Sequence, residues 1–90
     1  MAVARRVVVT GRVQGVFFRA WTKQQADDLG VSGWVRNRAD GSVEALVAGD
    51  PEAVRALIDR MCHGPSAARV DRLDEELADM PRESGFAVTH

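Results

Sequence analysis

The chain has 90 residues, of which 46% are hydrophobic and 28% charged, values typical of one small globular domain. Its 12 basic and 13 acidic side chains give a formal net charge of −1, so bulk charge does not favour a nucleic-acid or membrane partner. The single cysteine, Cys62, excludes an internal disulfide and a multi-cysteine metal site. Because no secretory signal or membrane span is visible, we expect a cytoplasmic protein with one domain, residues 1–90.

The charges are distributed unevenly along the chain. Residues 1–38 carry seven basic and two acidic groups, whereas residues 39–90 carry five basic and eleven acidic groups. If the protein binds an anion, the first half is therefore the expected location.

The first half begins with a strand pattern followed by a helix pattern. Apolar and polar residues alternate over residues 3–13, which predicts a strand with one covered face. Gly11 and Gly15 indicate a turn. The apolar spacing becomes helical over residues 18–29, and Gly30 follows as a C-cap glycine.

Two more strands and a second helix follow. Residues 31–38 and 42–48 predict strands joined by a hairpin turn at Asp40-Gly41. The second helix begins after Asp50, an N-cap residue followed by proline, and ends at His63 before Gly-Pro.

The end of the chain has weaker strand signals, within residues 67–76 and at residues 86–90. The predicted order is therefore β-α-β-β-α-β with an extra C-terminal strand. This order predicts an α+β protein with the ferredoxin-like split βαβ sandwich, in which an antiparallel sheet carries two helices on one face.

The loop between the first strand and the first helix has the chemistry of an oxyanion site. Glycines flank it, backbone N–H groups at a helix N-terminus attract anions, and Arg19 follows in the first helical turn. The Gly-Lys-Ser/Thr ending of a nucleotide-binding P-loop is missing. From loop chemistry alone, an ordinary turn with a solvated Arg19 is an equally good interpretation.

Three motifs carry a resemblance to the acylphosphatase family. They are Val-Thr-Gly-Arg-Val-Gln-Gly-Val-Phe-Phe-Arg at 9–19, Leu-Gly-Val-Ser-Gly-Trp-Val-Arg-Asn at 29–37 and Asp-Gly-Ser-Val-Glu at 40–44. The similarity runs from about residue 7 to residue 49, and the second helix and Gly-Phe-Ala-Val near the end also fit. Residues 62–84 match only loosely.

The resemblance implies hydrolysis of the carboxyl-phosphate mixed anhydride of acyl phosphates, giving a carboxylate and inorganic phosphate. It implies that Arg19 binds the phosphoryl group and that Asn37 positions the attacking water. It also implies that phosphoryl oxygens are held by the backbone amides of a loop comprising Gln14, Gly15, Val16, Phe17, Phe18 and Arg19. No metal and no cofactor are expected, the substrate is a small molecule, and the enzyme is expected to be a monomer without nucleic-acid or membrane partners.

Elementary chemistry is consistent with these roles. The leaving group is a carboxylate, a weak base, so the reaction needs no strong general acid. Asn37 is neutral and can orient water but cannot deprotonate it; the alternative is a structural asparagine of the hairpin. Arg38 stands where the family often has a small hydroxyl residue, and Arg36 and Arg38 are interpreted as solvated hairpin charges.

Two other functions remain open at this stage. One is a non-catalytic module that binds an anion or a nucleic acid on the same fold, although the third strand has no aromatic residue to stack on a base. The other is a regulatory domain of a metabolic enzyme. Trp21 and Trp34 are expected to pack in the core or at its edge, and neither His63 nor His90 has a partner at metal-ligand spacing.

Overall fold

A computed structural model describes residues 1–89. Its elements in chain order are β1 (Val3–Arg12), α1 (Phe18–Leu29), β2 (Ser32–Asn37), β3 (Val43–Gly49), α2 (Pro51–His63), β4 (Arg69–Leu77) and β5 (Phe86–Val88). The predicted order of elements is confirmed. The last predicted strand residue, His90, lies outside the described residues. Within residues 1–89, neither helix is long and apolar enough to span a bilayer.

The five strands form one sheet in the order β4-β1-β3-β2-β5. The first four strands pair antiparallel, as the ferredoxin-like prediction requires. The terminal strand is the exception, because β5 runs parallel to β2 and makes the sheet mixed. The direction follows from the path of the chain. Leu77 ends β4 beside Arg5, at the edge where β1 and β2 begin, and Phe86 enters β5 at that same edge beside Gly33.

Both helices cover one face of the sheet, and the core lies between them and the strands. α2 begins as predicted, with the Asp50 carboxylate accepting a hydrogen bond from the Glu52 N–H and with proline at its first position. The face of α2 that the spacing predicted is buried, as are three residues of α1: Val54, Leu57, Ile58 and Met61 in α2, and Phe18, Thr22 and Ala26 in α1.

Gly11 lies inside β1 rather than in a turn. The pairing with β4 shifts between Thr10 and Gly11, which marks a β-bulge. Gly11 has φ +135°, and a Cβ atom there would lie 2.2 Å from the carbonyl oxygen of Arg69. The strand therefore continues to Arg12, and the turn begins only after it.

The opposite face of the sheet carries a charged network centred on Glu44 of β3. This residue is 2% exposed and bonds Arg6 on β1 and Arg36 on β2, one on each side. Arg6 also forms a salt bridge with Glu76 on β4, in which Nη1 lies 2.9 Å from Oε1. Burial of Glu44 is the largest single influence on its ionisation and raises the pKa, but the bonds from Arg36 and Arg6 together outweigh it and hold the pKa below its ordinary value.

We expect Glu44→Gln to lower the free energy of unfolding by about 1–3 kcal/mol at neutral pH, because a buried charged acceptor is lost. A carboxyl whose folded pKa is depressed stabilises the fold above its unfolded pKa, and that stability is lost as pH falls through the folded pKa. The variant should therefore also lose stability less steeply in acid than the natural protein. Urea denaturation across this pH range measures both effects. Glu83→Gln, in the exposed connection before β5, is the matched control and should be nearly neutral.

Candidate functional site

A cavity of about 410 Å³ opens where β1 and β2 end. These two strands run in the same direction because each is antiparallel to β3, which lies between them. Their C-terminal ends therefore meet at one edge of the sheet. The cavity is lined by Val13, Gly15, Phe17, Phe18, Arg19, Ala20, Asn37 and Val88. The structure thus brings together the two predicted catalytic residues and four of the six predicted loop residues, Arg19 being in both sets.

The loop after β1 contains two residues with left-handed backbone. Gly15 has φ +74° and Phe17 has φ +62°, both left-handed, and Val16 between them is not left-handed. Successive N–H groups in a turn can point toward one side and form an anion-binding concavity. Val16 itself is 7% exposed, so its side chain belongs to the core and only its backbone can contribute.

The start of α1 has the partial positive charge of a helix N-terminus. The first N–H groups of any helix have no partner within the helix. In residues 1–89, no side chain caps this end, and its first turn contains no acidic residue. α2 differs, since Asp50 caps it and Glu52 lies in its first turn. Among the described residues, neither a capping side chain nor an acidic residue of the first turn therefore neutralises the partial charge at the start of α1.

Arg19 occupies the second position of α1 and lines the cavity. Its Nη1 donates a hydrogen bond to the carbonyl oxygen of Thr89 at 3.1 Å. Thr89 follows β5 directly, and its N–H donates to the carbonyl of Val35 at 2.9 Å. The parallel direction of β5 therefore brings the described end of the chain to the guanidinium, a contact that the sequence pattern did not reveal.

Gln14 joins the loop to the β2–β3 hairpin. Its Nε2 donates to the carbonyl oxygens of Arg38 at 2.8 Å and Ser42 at 2.9 Å. Sequence analysis assigned only a backbone role to this residue. The side chain instead fixes the loop against the hairpin that follows Asn37, so the two sides of the cavity are held in register. No sequence signal identifies such a contact across 24 residues.

Asn37 is the last residue of β2, opposite Val43, and it lines the cavity. The hairpin turn is closed by other groups. The Asp40 carboxylate accepts hydrogen bonds from the Ser42 hydroxyl and N–H, and these bonds hold the pKa of Asp40 below its usual value. The Arg38 N–H donates to the Ser42 carbonyl at 2.8 Å. The turn chemistry that sequence analysis offered as an alternative for Asn37 thus belongs to Asp40.

The arginines beside Asn37 do not lie in the cavity lining. Arg36 is on the other face of the sheet, where it bonds Glu44 and lies over the Trp34 ring at 5.3 Å. Its side chain is 51% exposed, so Arg36 is a solvated charge, as predicted, that also pairs with Glu44. Arg38 approaches Asp40 at 4.0 Å. Among residues 1–89, no three His, Cys, Asp or Glu side chains are grouped so that they could hold a metal ion.

Comparison with known proteins gives a consistent family. The family model described as acylphosphatase matches residues 5–88. An acylphosphatase of Rhizorhabdus wittichii is 58% identical over 74 residues, which cover 82% of this chain and 75% of that protein. An acylphosphatase of Rhizobium etli is 53% identical, with 96% of this chain and 93% of the relative covered. The crystal structure of acylphosphatase from Bacillus subtilis matches with a TM-score of 0.94 at 31% identity, and both chains are fully covered.

We expect Gln14→Leu to destabilise the fold by about 1–3 kcal/mol, because two partly buried carbonyl groups lose a donor while side-chain volume is nearly kept. Gln24→Leu, the same change on the exposed surface of α1, is the matched control and should be within about 0.5 kcal/mol of the natural protein. Chemical denaturation of the two variants compares them directly. Equal effects would show that the Gln14 contacts do not hold the loop in place.

Proposed function

The chain belongs to the acylphosphatase family, whose enzymes hydrolyse acyl phosphates, and we propose that Arg19, Asn37 and the loop N–H groups carry out this reaction. The observation that carries the proposal is their convergence on one cavity, where Gly15, Phe17, Arg19 and Asn37 are neighbours. The family motif alone predicts each of these groups, independently of its position in the fold.

We propose that the phosphoryl group lies between the loop and Arg19. Backbone N–H groups from Gln14 to Arg19 donate to its oxygens, and the start of α1 adds a fixed positive dipole. The planar guanidinium of Arg19 suits two phosphoryl oxygens at once. Phosphoryl transfer requires positioning and stabilisation of charge on these oxygens more than covalent chemistry, and fixed donors provide both.

Asn37 holds the water that attacks phosphorus, in this proposal. As the new P–O bond forms, the bond between phosphorus and the acyl oxygen breaks, and its electron pair leaves with the carboxylate. Asn37 can accept a hydrogen bond from the water through Oδ1 but cannot take its proton. The proton passes to a phosphoryl oxygen, and the products are a carboxylate and inorganic phosphate. No metal, cofactor or phosphoenzyme takes part.

We propose a single monomeric domain, residues 1–90, acting in the cytoplasm on a small-molecule acyl phosphate rather than on a nucleic acid. Nucleic-acid binding on the open sheet face is disfavoured by its side chains. The middle of that face is occupied by Glu44 and its arginine partners, and the Trp34 ring is covered by Arg36. A base stacks on an accessible aromatic ring, and arginines that already pair with a carboxylate are less available to phosphate.

We expect the purified protein to hydrolyse benzoyl phosphate in the presence of excess chelator, with inorganic phosphate as a competitive inhibitor. Arg19→Lys should reduce kcat/KM by roughly 10²-fold or more and weaken phosphate inhibition, because lysine lacks the planar fork of donors. Arg82→Lys, on an exposed connection, is the control and should retain full activity. Circular dichroism checks that both variants fold.

Absence of turnover in the natural protein would contradict the proposed reaction, and loss of turnover on chelation would contradict metal independence. Near-natural kcat/KM for Arg19→Lys would remove Arg19 from the site while leaving the family reaction intact.

Asn37→Ala should lower kcat by about 10²–10³-fold and leave the inhibition constant of phosphate nearly unchanged, because a group that acts on the water stabilises the transition state and not the bound phosphate. Asn37→Asp is the sharper variant. It keeps the shape but adds a negative charge beside an anionic substrate, so it should weaken phosphate inhibition as well. Steady-state kinetics with phosphate as inhibitor separates the two. An Asp variant with natural turnover and natural inhibition would contradict the water-positioning role.

A further inference from the structure

The side chain of Phe17 has no role in the reaction described above. Only its backbone N–H contributes to the proposed phosphoryl site. Yet Phe17 lines the same cavity as Arg19 and Asn37, and its side chain is exposed. Its presence there needs an explanation of its own.

The local backbone does not favour phenylalanine at this position. Phe17 has φ 62° and ψ 24°, and it is the only non-glycine residue with positive φ among residues 1–89. Glycine, asparagine and aspartate adopt this left-handed conformation at low cost, whereas a bulky residue in it is an outlier. Backbone outliers of this kind concentrate at active sites and ligand clamps.

Packing does not explain the ring either. Phe17 is 84% exposed, while Phe18 is 1% exposed and Phe86 is 6% exposed. An aromatic side chain contributes to stability mainly by the area it buries. At Phe17 that area is still available to a ligand.

The cavity lining contains both polar and apolar groups. Arg19, Asn37 and the loop N–H groups are polar, whereas the accessible apolar groups are Phe17, the exposed Ala20 and the partly buried Val88. An acyl phosphate has the same two kinds of group, since a charged phosphoryl group is joined to a carbon skeleton through the anhydride. When the polar groups bind the phosphoryl group, apolar lining residues are left for the acyl group.

We propose that Phe17 binds the acyl group of the substrate and makes the enzyme favour acyl phosphates with aromatic or extended apolar acyl groups over those with short ones. The inference rests on the proposed function. The ring forms part of the wall against which the acyl group packs, and the substrate buries the surface that the free protein leaves exposed.

The test compares benzoyl phosphate, which has an aromatic acyl group, with acetyl phosphate, which has one methyl group. Phe17→Gly should lower the ratio of kcat/KM for benzoyl phosphate to kcat/KM for acetyl phosphate by roughly three- to tenfold, the equivalent of one aromatic contact. The ratio is the readout because a change in the loop backbone acts on both substrates. Phe17→Leu keeps an apolar side chain and should restore most of the preference.

Two controls exclude effects of folding and of general apolar surface. The melting temperature of Phe17→Gly should equal or exceed that of the natural protein, because glycine suits the left-handed backbone. Phe17→Asn provides a second variant that suits this backbone. Leu77→Ala removes another exposed apolar side chain, 76% exposed at the end of β4, and should not change the ratio between the substrates.

An equal loss on both substrates would overturn the inference, since Phe17 would then serve the loop and the phosphoryl group. An unchanged ratio in both Phe17→Gly and Phe17→Asn would overturn it as well. If the natural protein hydrolysed neither substrate, the proposed function itself would fail, and this inference with it.

Discussion

β3 runs between β1 and β2 and opposite to both, and this constraint decides where chemistry can take place. Because β1 and β2 are then parallel, the loop after β1 and the last residue of β2 lie at the same edge. β5 adds a third strand that ends there, which brings Thr89 to Arg19. Arg19 and Asn37, which are 18 positions apart in sequence, therefore line one cavity. The Gln14 side chain then fixes the loop to the hairpin.

The imbalance of charge between the two halves of the chain is partly neutralised within the sheet. The arginines of β1 and β2 that face the open side, Arg6 and Arg36, both bond Glu44 of β3. On β4, Glu76 also binds Arg6, and Glu75 binds Arg55 of α2 at 2.7 Å. Two of the seven basic side chains of the first half therefore link neighbouring strands. Among the basic side chains of this half, Arg19 is the one that lines the cavity. Strand order determines this placement, and the net charge of the half does not reveal it.

Local patterns predicted the elements whose residues interact with their sequence neighbours or with a core. The helical period gave α1 at its observed bounds, and Asp50 with its proline gave the start of α2. β4 was indicated only weakly, because it is an edge strand whose side chains face solvent and ion pairs and whose stability comes from backbone pairing. The direction of β5 could not be predicted, since it depends on which sheet edge the preceding connection reaches.

The residues of the candidate site were likewise predictable only in part. The family motif predicted Arg19, Asn37 and the loop, because these residues belong to short stretches of sequence that are typical of the family. The contacts of Gln14, Thr89 and Glu44 join segments that are distant along the chain, and no periodicity encodes them. A role for the side chain of Phe17 could not be predicted from the sequence for another reason. It is indicated only by the backbone conformation and the exposure of this residue taken together, and both come from the structure.

The two helix starts show how stability and the proposed chemistry compete. α2 has a carboxylate cap, proline and an acidic first turn, and losing such a cap costs a helix about 1 kcal/mol. An Asp at the start of α1 would supply the same stabilisation, but its carboxylate would occupy the N–H groups that the phosphoryl oxygens need. It would also place a negative charge next to Arg19. α1 therefore begins on a left-handed Phe17 without a side-chain cap in the described chain, and burial of Phe18, Thr22 and Ala26 stabilises it instead. In the proposed mechanism, the phosphoryl oxygens accept hydrogen bonds from the first N–H groups of α1 and so cap this helix. The helix end that has no side-chain cap in the described chain is therefore the end that recognises the substrate.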